Sequence, residues 1–87
     1  MNILVSPNFS RKFYRLTKKD RRLSKNIDRK IAIFKKNPNH PSLRLHKLSG
    51  LKERWSISVD MGLRIIFEHI KIDEVYFIDI GSNDEVY

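Results

Sequence analysis

The sequence predicts an α+β fold in which a two-helix hairpin packs on one face of a mainly antiparallel sheet of four or five strands, in the order β-α-α-β-β-β-β. Apolar residues recur at helical spacing in the first half and alternate with polar residues in the second half. The connections between the last four strands are short, as in an antiparallel meander. We expect residues 1–87 to form one domain, since the chain contains no repeat or linker.

The first half predicts one short strand and two amphipathic helices. Residues 2–5 suit a strand, and Ser6-Pro7 combines a preferred N-cap with proline at the first helical position. Asp20 can cap a second helix, which Pro38 ends because proline disfavours the α conformation in the residue before it. The apolar face of the first helix consists of Phe9, Phe13 and Leu16, and that of the second helix consists of Leu23, Ile27, Ile31 and Phe34.

The second half predicts four strands. Residues 43–48 form the first, and in the second Trp55 alternates in phase with Ile57 and Val59, which places it in the core. Residues 63–70 form the third strand, and residues 75–80 form a mostly apolar strand that we expect to be central.

Charge is divided unevenly along the chain. Residues 1–42 contain 12 Lys and Arg and two Asp, which gives a net charge of +10. Residues 43–87 contain six Lys and Arg and eight Asp and Glu, which gives a net charge of −2. A basic half beside a mildly acidic one favours contact with a polyanion, although lysine-rich helices also promote solubility.

The absence of cysteine excludes disulfides and thiolate metal sites. With neither a signal peptide nor a membrane span in the sequence, we expect a cytoplasmic protein with no membrane partner.

The order of several short motifs resembles the RelE/ParE superfamily of type II toxin–antitoxin toxins. The basic hairpin precedes Leu45-x-x-Leu48-x-Gly50, Trp55-x-Ile57-x-Val59, Leu63-Arg64-Ile65-Ile66-Phe67 and Ile80-Gly81-x-x-Asp84-Glu85-x-Tyr87. The resemblance implies a curved sheet with both helices on one side and neutralisation by a cognate antitoxin. It also implies ribosome-dependent cleavage of mRNA, as in the RelE, YoeB and YafQ branches, which we favour, or inhibition of DNA gyrase, as in the ParE branch.

Arg64 is the leading candidate for a catalytic residue. Metal-free RNA cleavage requires a base for the 2′-hydroxyl, an acid for the leaving 5′-oxygen and a cation for the charge on the phosphate. Arg64 interrupts an apolar strand, where a guanidinium is expected to point out to a partner. It matches the arginine that the superfamily places there to stabilise the transition state. The alternative is an ion pair with Glu68 or Asp60.

His46 is the second candidate, because an imidazole can exchange protons near neutrality. It matches a histidine that YafQ-like members carry before the Leu-x-Gly turn, and the alternative is an exposed strand histidine. His40 and His69 are less suitable by position.

The C-terminal tail departs from the family pattern. Many members have histidine where this chain has Asn83, and asparagine can hydrogen-bond a phosphate but cannot transfer a proton. Either His46 or Tyr87 then supplies the proton, or catalysis is weakened or lost. Tyr87 matches the terminal aromatic residue of the family, which could stack on a base; alternatively it closes the end of the sheet.

The remaining candidates are cations that could contact RNA phosphates or could simply be solvated. These are Lys47, Lys52 and Arg54 near the predicted site, and Arg11, Lys18 and Arg22 on the hairpin. No glycine-rich phosphate loop, metal-ligand spacing or Ser-His-Asp arrangement occurs, so we expect no cofactor and no metal.

Three functions therefore remain open: a metal-free endoribonuclease that acts on mRNA in the ribosome and so inhibits translation, a gyrase-binding inhibitor, and a toxin that has lost its chemistry and only binds its antitoxin.

Overall fold

The computed structural model describes residues 1–50, 53–82 and 86, which form two helices on one side of a five-stranded sheet. The strand order is β1-β5-β4-β3-β2; β1 runs parallel to β5, and the other neighbours are antiparallel. The elements are β1 (Asn2–Val5), α1 (Pro7–Thr17), α2 (Arg21–Lys36), a 3₁₀ turn (Pro41–Leu43), β2 (His46–Lys47), β3 (Trp55–Asp60), β4 (Leu63–Lys71) and β5 (Glu74–Ser82). The predicted fold class is confirmed.

Both helices begin where the sequence predicts, and α2 also ends there. The Ser6 hydroxyl accepts a hydrogen bond from the Phe9 amide at 2.9 Å, and Pro7 occupies the first turn of α1. The Asp20 carboxylate accepts from the Leu23 amide at 3.0 Å, and α2 ends at Lys36, ahead of Pro38. Each cap satisfies an amide that the first helical turn leaves without an intrahelical partner. Neither helix is long and apolar enough to cross a bilayer.

The core lies between the helices and one face of the sheet. Phe34 of α2 lies 5.1 Å from Phe67 of β4 and 5.9 Å from Phe77 of β5, measured between ring centroids. The residues of β3 and β4 that face this layer are Ile57, Val59, Ile65 and Phe67, all at most 1% exposed. Trp55 packs against the same cluster, so its predicted core position is confirmed.

Residues that alternate with the core positions point to the other side of the sheet. We call this side the helix-free face; on β3 and β4 it carries Ser56, Ser58, Arg64, Ile66 and Glu68. Ser56 and Ile66 are buried there, at 0% and 3% exposed. Arg64 lies against Ser56, which accounts for part of this burial.

The predicted strand at residues 43–48 is wrong over most of its length. Leu43 is fully buried at the end of the 3₁₀ turn, and Arg44 adopts a left-handed conformation with φ of 47°, which interrupts any strand. The His40 ring accepts a hydrogen bond from the Ser42 amide at 3.1 Å and stabilises the turn. Strand pairing is confined to His46–Lys47.

The last strand is longer than predicted and is not the middle one. It spans Glu74–Ser82 and lies between β1 and β4, so β4 is the central strand. Its N-terminal extension reaches Glu74, which pairs with both Asn2 of β1 and Lys71 of β4.

Asp79 of β5 fastens α1 to the sheet. Its carboxylate accepts hydrogen bonds from Lys12 Nζ at 2.7 Å and Asn8 Nδ2 at 3.1 Å. The side chains of Lys12 and Asp79 are 14% and 23% exposed. The Ser6 hydroxyl donates to the carbonyl of Ile78 at 2.7 Å, next to this pair. A charge-assisted contact with so little solvent contributes more to stability than an ion pair on the surface.

We expect Asp79→Asn to lower the free energy of unfolding by about 2 kcal/mol, because the mostly buried Lys12 ammonium would lose its carboxylate partner. The matched control is Glu53→Gln, which breaks the exposed pair with Lys47 at 2.9 Å and should cost about 0–1 kcal/mol. Urea unfolding of the three proteins measures both values. Equal losses in the two variants would contradict the assigned role of Asp79.

Candidate functional site

Arg64 lies on the central strand with its side chain on the helix-free face. Its neighbours Leu63 and Ile65 turn towards the core, so the alternation of β4 directs the guanidinium to the opposite side. The residue is half-buried, and its side chain points away from the layer that contains the core and both helices.

The guanidinium is held by acceptors from two other parts of the chain. Its Nε donates to the Ser56 hydroxyl at 2.6 Å, and Nη2 donates to the carbonyl of Arg44 at 3.1 Å. Nη2 also lies 3.3 Å from Nδ1 of His46. Bonds from both Nε and Nη2 fix the plane of the group as well as its position.

The carbonyl of Arg44 reaches Arg64 because of the local backbone. Arg44 has φ of 47° and ψ of 48°, and its amide donates to the carbonyl of Pro41 at 3.2 Å to close the 3₁₀ turn. A left-handed conformation costs a residue with a side chain about 1 kcal/mol. Within the described part of the chain, Arg44 is the single residue other than glycine with positive φ.

His46 lies beside the guanidinium on the edge strand β2, where it pairs with Ser56 in the sheet register. Its Nδ1 is 3.4 Å from the Arg44 carbonyl and 3.3 Å from Nη2 of Arg64, both longer than a typical hydrogen bond. With the proton on Nδ1, the ring donates to that carbonyl and its lone pair is on Nε2. With the proton on Nε2, Nδ1 accepts from Arg64. The exposed ring therefore lies next to a fixed positive charge in either tautomer.

Two of the predicted phosphate contacts near the site have acidic partners. Lys47 Nζ lies 2.9 Å from Glu53 Oε1, and Arg54 Nε donates to Glu68 Oε2 at 3.2 Å. Glu68, one of the two alternative ion-pair partners for Arg64, thus pairs with Arg54. Asp60, the other alternative, accepts a hydrogen bond from the Met61 amide in the β3–β4 turn at 2.8 Å.

The hairpin cations are not brought together with Arg64. Arg11 lies in α1, Lys18 directly follows α1, and Arg22 lies in the first turn of α2. All three therefore lie in the helical layer, on the side of the sheet opposite Arg64. Arg11 Nη2 donates to Asn8 Oδ1 at 2.9 Å, and Lys18 Nζ lies 5.9 Å from the centre of the Tyr14 ring. The basic layer and the Arg64 site are separate surfaces of the molecule.

Three predicted site residues, Lys52, Asn83 and Tyr87, lie outside the described residues. The other two histidines have local roles. His40 stabilises the 3₁₀ turn, and His69 contacts Trp55 and Phe67 edge-on at centroid distances of 6.1 and 5.6 Å. Across residues 1–50, 53–82 and 86, no three His, Cys, Asp or Glu side chains are grouped so that they could hold a metal ion.

Ser56 and Arg44 were not predicted as part of the site. The alternation of β3 already places Ser56 on the side opposite Trp55 and Ile57, and this is the signal that could have found it. Arg44 gave no such signal, because its contact is made by a backbone carbonyl.

Neither a family model nor a curated protein matches the chain in the comparisons. Solved structures do match it. A metal-bound toxin from Helicobacter pylori has 22% identity and a TM-score of 0.80, covering 100% of this chain and 99% of that one. A YoeB/ParE toxin from Agrobacterium tumefaciens has 15% identity and a TM-score of 0.80, with coverages of 95% and 99%. The DinJ–YafQ complex from E. coli matches with 20% identity and a TM-score of 0.68, covering 99% and 97%. The chain has the fold of the YoeB, ParE and YafQ toxins.

Proposed function

We propose that this protein is the toxin of a type II toxin–antitoxin module and a metal-free endoribonuclease that cleaves mRNA on the ribosome. The observation that carries the proposal is the guanidinium of Arg64, fixed by Ser56 and Arg44 on the helix-free face next to His46. A planar cation that cannot lose its charge suits a phosphate in the transition state.

In the proposed reaction the 2′-oxygen of one nucleotide attacks the phosphorus on its 3′ side. The bond to the next 5′-oxygen breaks, giving a 2′,3′-cyclic phosphate and a 5′-hydroxyl. One group removes the 2′-hydroxyl proton and another returns a proton to the 5′-oxygen. His46 performs one of these transfers, while Arg64 stabilises the negative charge that builds up on the phosphate oxygens. Asn83 and Tyr87 remain candidates for contacts with the phosphate and a base.

The separation of the two surfaces supports a role on the ribosome. The helix layer belongs to the half with a net charge of +10 and can bind ribosomal RNA through phosphates without reading sequence. The helix-free face then remains available to the message. Because the ribosome itself orients the mRNA, few catalytic groups are needed; orientation alone can supply about 7–11 kcal/mol of a barrier.

The partner that we propose is an antitoxin, as in the DinJ–YafQ complex of the same fold. An apolar groove of about 330 Å³ runs between β1 and both helices, lined by Ile3, Val5, Phe9, Phe13, Ile31 and Lys35 among others. A segment with apolar side chains and carboxylates would fill this groove and offset the charge around it.

Inhibition of DNA gyrase is the second candidate, favoured by Asn83 in the place of the family's histidine, since a protein that only binds needs no proton donor. A toxin without chemistry that only binds its antitoxin fits the same observation.

We expect the purified protein to cleave mRNA on programmed ribosomes and to leave gyrase supercoiling unaffected. Primer extension locates the cut, and analysis of the ends should show the cyclic phosphate and the 5′-hydroxyl. Intact mRNA together with stalled supercoiling would instead establish the gyrase inhibitor. Normal growth of cells that express the protein alone would indicate the form without chemistry.

Arg64→Ala should lower the single-turnover cleavage rate by about 10²- to 10³-fold, because the transition state loses its cation. Arg64→Lys keeps the charge but loses the planar fork, and its rate should fall between those of Arg64→Ala and the unmodified protein. Arg29→Lys makes the same exchange on an exposed helical position and serves as the control. Rates in both Arg64 variants equal to that of the control would remove Arg64 from the mechanism.

Replacing Arg11, Lys18 and Arg22 together by Gln should weaken ribosome binding and reduce the slope of log affinity against log salt by about 2 to 3, since three phosphate contacts are lost. The cleavage rate at saturating ribosome concentration should not change, because these residues lie across the sheet from Arg64. Binding measured over a series of salt concentrations gives the slope. An unchanged slope would show that the hairpin does not contact RNA.

A further inference from the structure

Ser56 is a buried residue of the helix-free face, and its hydroxyl contacts Arg64. It is completely buried in β3, between Trp55 and Ile57 in the chain and opposite Ile66 of β4. A buried strand position is better suited to a β-branched apolar residue, and a buried hydroxyl needs hydrogen bonds to offset its lost hydration. The bond that the Ser56 hydroxyl accepts from Nε of Arg64 is 2.6 Å long, among the shortest in the described structure.

The second acceptor comes from a different part of the chain. The Arg44 carbonyl lies 3.1 Å from Nη2 of Arg64, and it points there because Arg44 is left-handed. Closing the 3₁₀ turn explains this conformation in part, since the Arg44 amide bonds to Pro41. The same backbone conformation also directs the Arg44 carbonyl towards the guanidinium. One conformation therefore allows both the bond to Pro41 and the bond from Arg64.

We infer that Ser56 and the left-handed backbone of Arg44 are positioning residues that orient the guanidinium of Arg64, an inference that rests on the proposed cleavage function. Ser56 fixes Nε from β3, and Arg44 fixes Nη2 from the segment before β2. Two acceptors on separate elements define both the direction and the plane of the Arg64 guanidinium. Orientation of a catalytic cation before the substrate arrives reduces the reorganisation needed in the transition state.

Ser56→Ala should therefore lower the single-turnover rate by about 10- to 100-fold, with ribosome affinity unchanged. Ser58→Ala is the matched control, because Ser58 lies on the same strand and face, directly opposite Arg64 in the β3–β4 register, with its hydroxyl 3.5 Å from the Asp60 carbonyl. A Ser56→Ala rate equal to that of Ser58→Ala would overturn the inference.

A double-mutant cycle separates positioning from a general structural effect. In the Arg64→Lys background the side chain has no Nε–H at this place, so adding Ser56→Ala should change the rate by less than about 2-fold. If the rate losses caused by the two substitutions instead multiply in the double variant, Ser56 acts independently of Arg64 and the inference is wrong.

Arg44 offers a pair of variants with the same change in charge. Glycine adopts the left-handed conformation without cost, so Arg44→Gly should cleave mRNA faster than Arg44→Val. Valine disfavours it, so Arg44→Val should displace the carbonyl and slow cleavage by about 10-fold. Equal rates in the two variants would exclude the backbone role of Arg44.

A spectroscopic readout tests the same contact without any activity. In ¹⁵N NMR spectra the Nε–H of Arg64 should exchange with solvent slowly, and Ser56→Ala should accelerate the exchange by about 10-fold or more while Ser58→Ala does not. If mRNA stays intact but the exchange responds as described, the cleavage proposal fails and the contact between Ser56 and Arg64 stands. An unchanged exchange rate in folded Ser56→Ala protein would refute the positioning role itself.

Discussion

The alternation of the central strand is the constraint on which the site depends. Ile65 and Phe67 are committed to the core beneath the helices, so Arg64 and Ile66 must point to the other side of the sheet. A shift of one residue in the pairing of β4 would bury the guanidinium and expose the core residues. The hydrophobic core therefore determines where the cation lies, and stability and the candidate chemistry depend on one register.

The position of the guanidinium and its orientation have different origins. Alternation selects the face, whereas Ser56 and Arg44 fix the angle of the fork through bonds to Nε and Nη2. His46 reaches the same place from the edge strand, opposite Ser56 in the register. The candidate site is thus assembled from β2, β3, β4 and one left-handed residue, while the most basic part of the chain lies across the sheet.

Local signals predicted most of the fold. The caps at Ser6 and Asp20, the stop before Pro38 and the alternation from Trp55 onward each depend on neighbouring residues, and the structure has them in place. The strand predicted at residues 43–48 was wrong because Leu43, fully buried in the 3₁₀ turn, gives the same apolar signal as a strand residue. The contacts of Arg64 span 8 and 20 residues and depend on sheet register and on a carbonyl, neither of which a residue pattern encodes.

The most direct test of the central claim is a cryo-EM structure of the protein on a ribosome whose mRNA carries a 2′-O-methyl group at the cleavage position, so that the nucleophile is blocked. The account predicts that the helix-free face meets the message, with the Arg64 guanidinium about 3 Å from the phosphate on the 3′ side of the modified nucleotide. A complex in which the helices or β1 face the mRNA, with Arg64 remote from every phosphate, would contradict it.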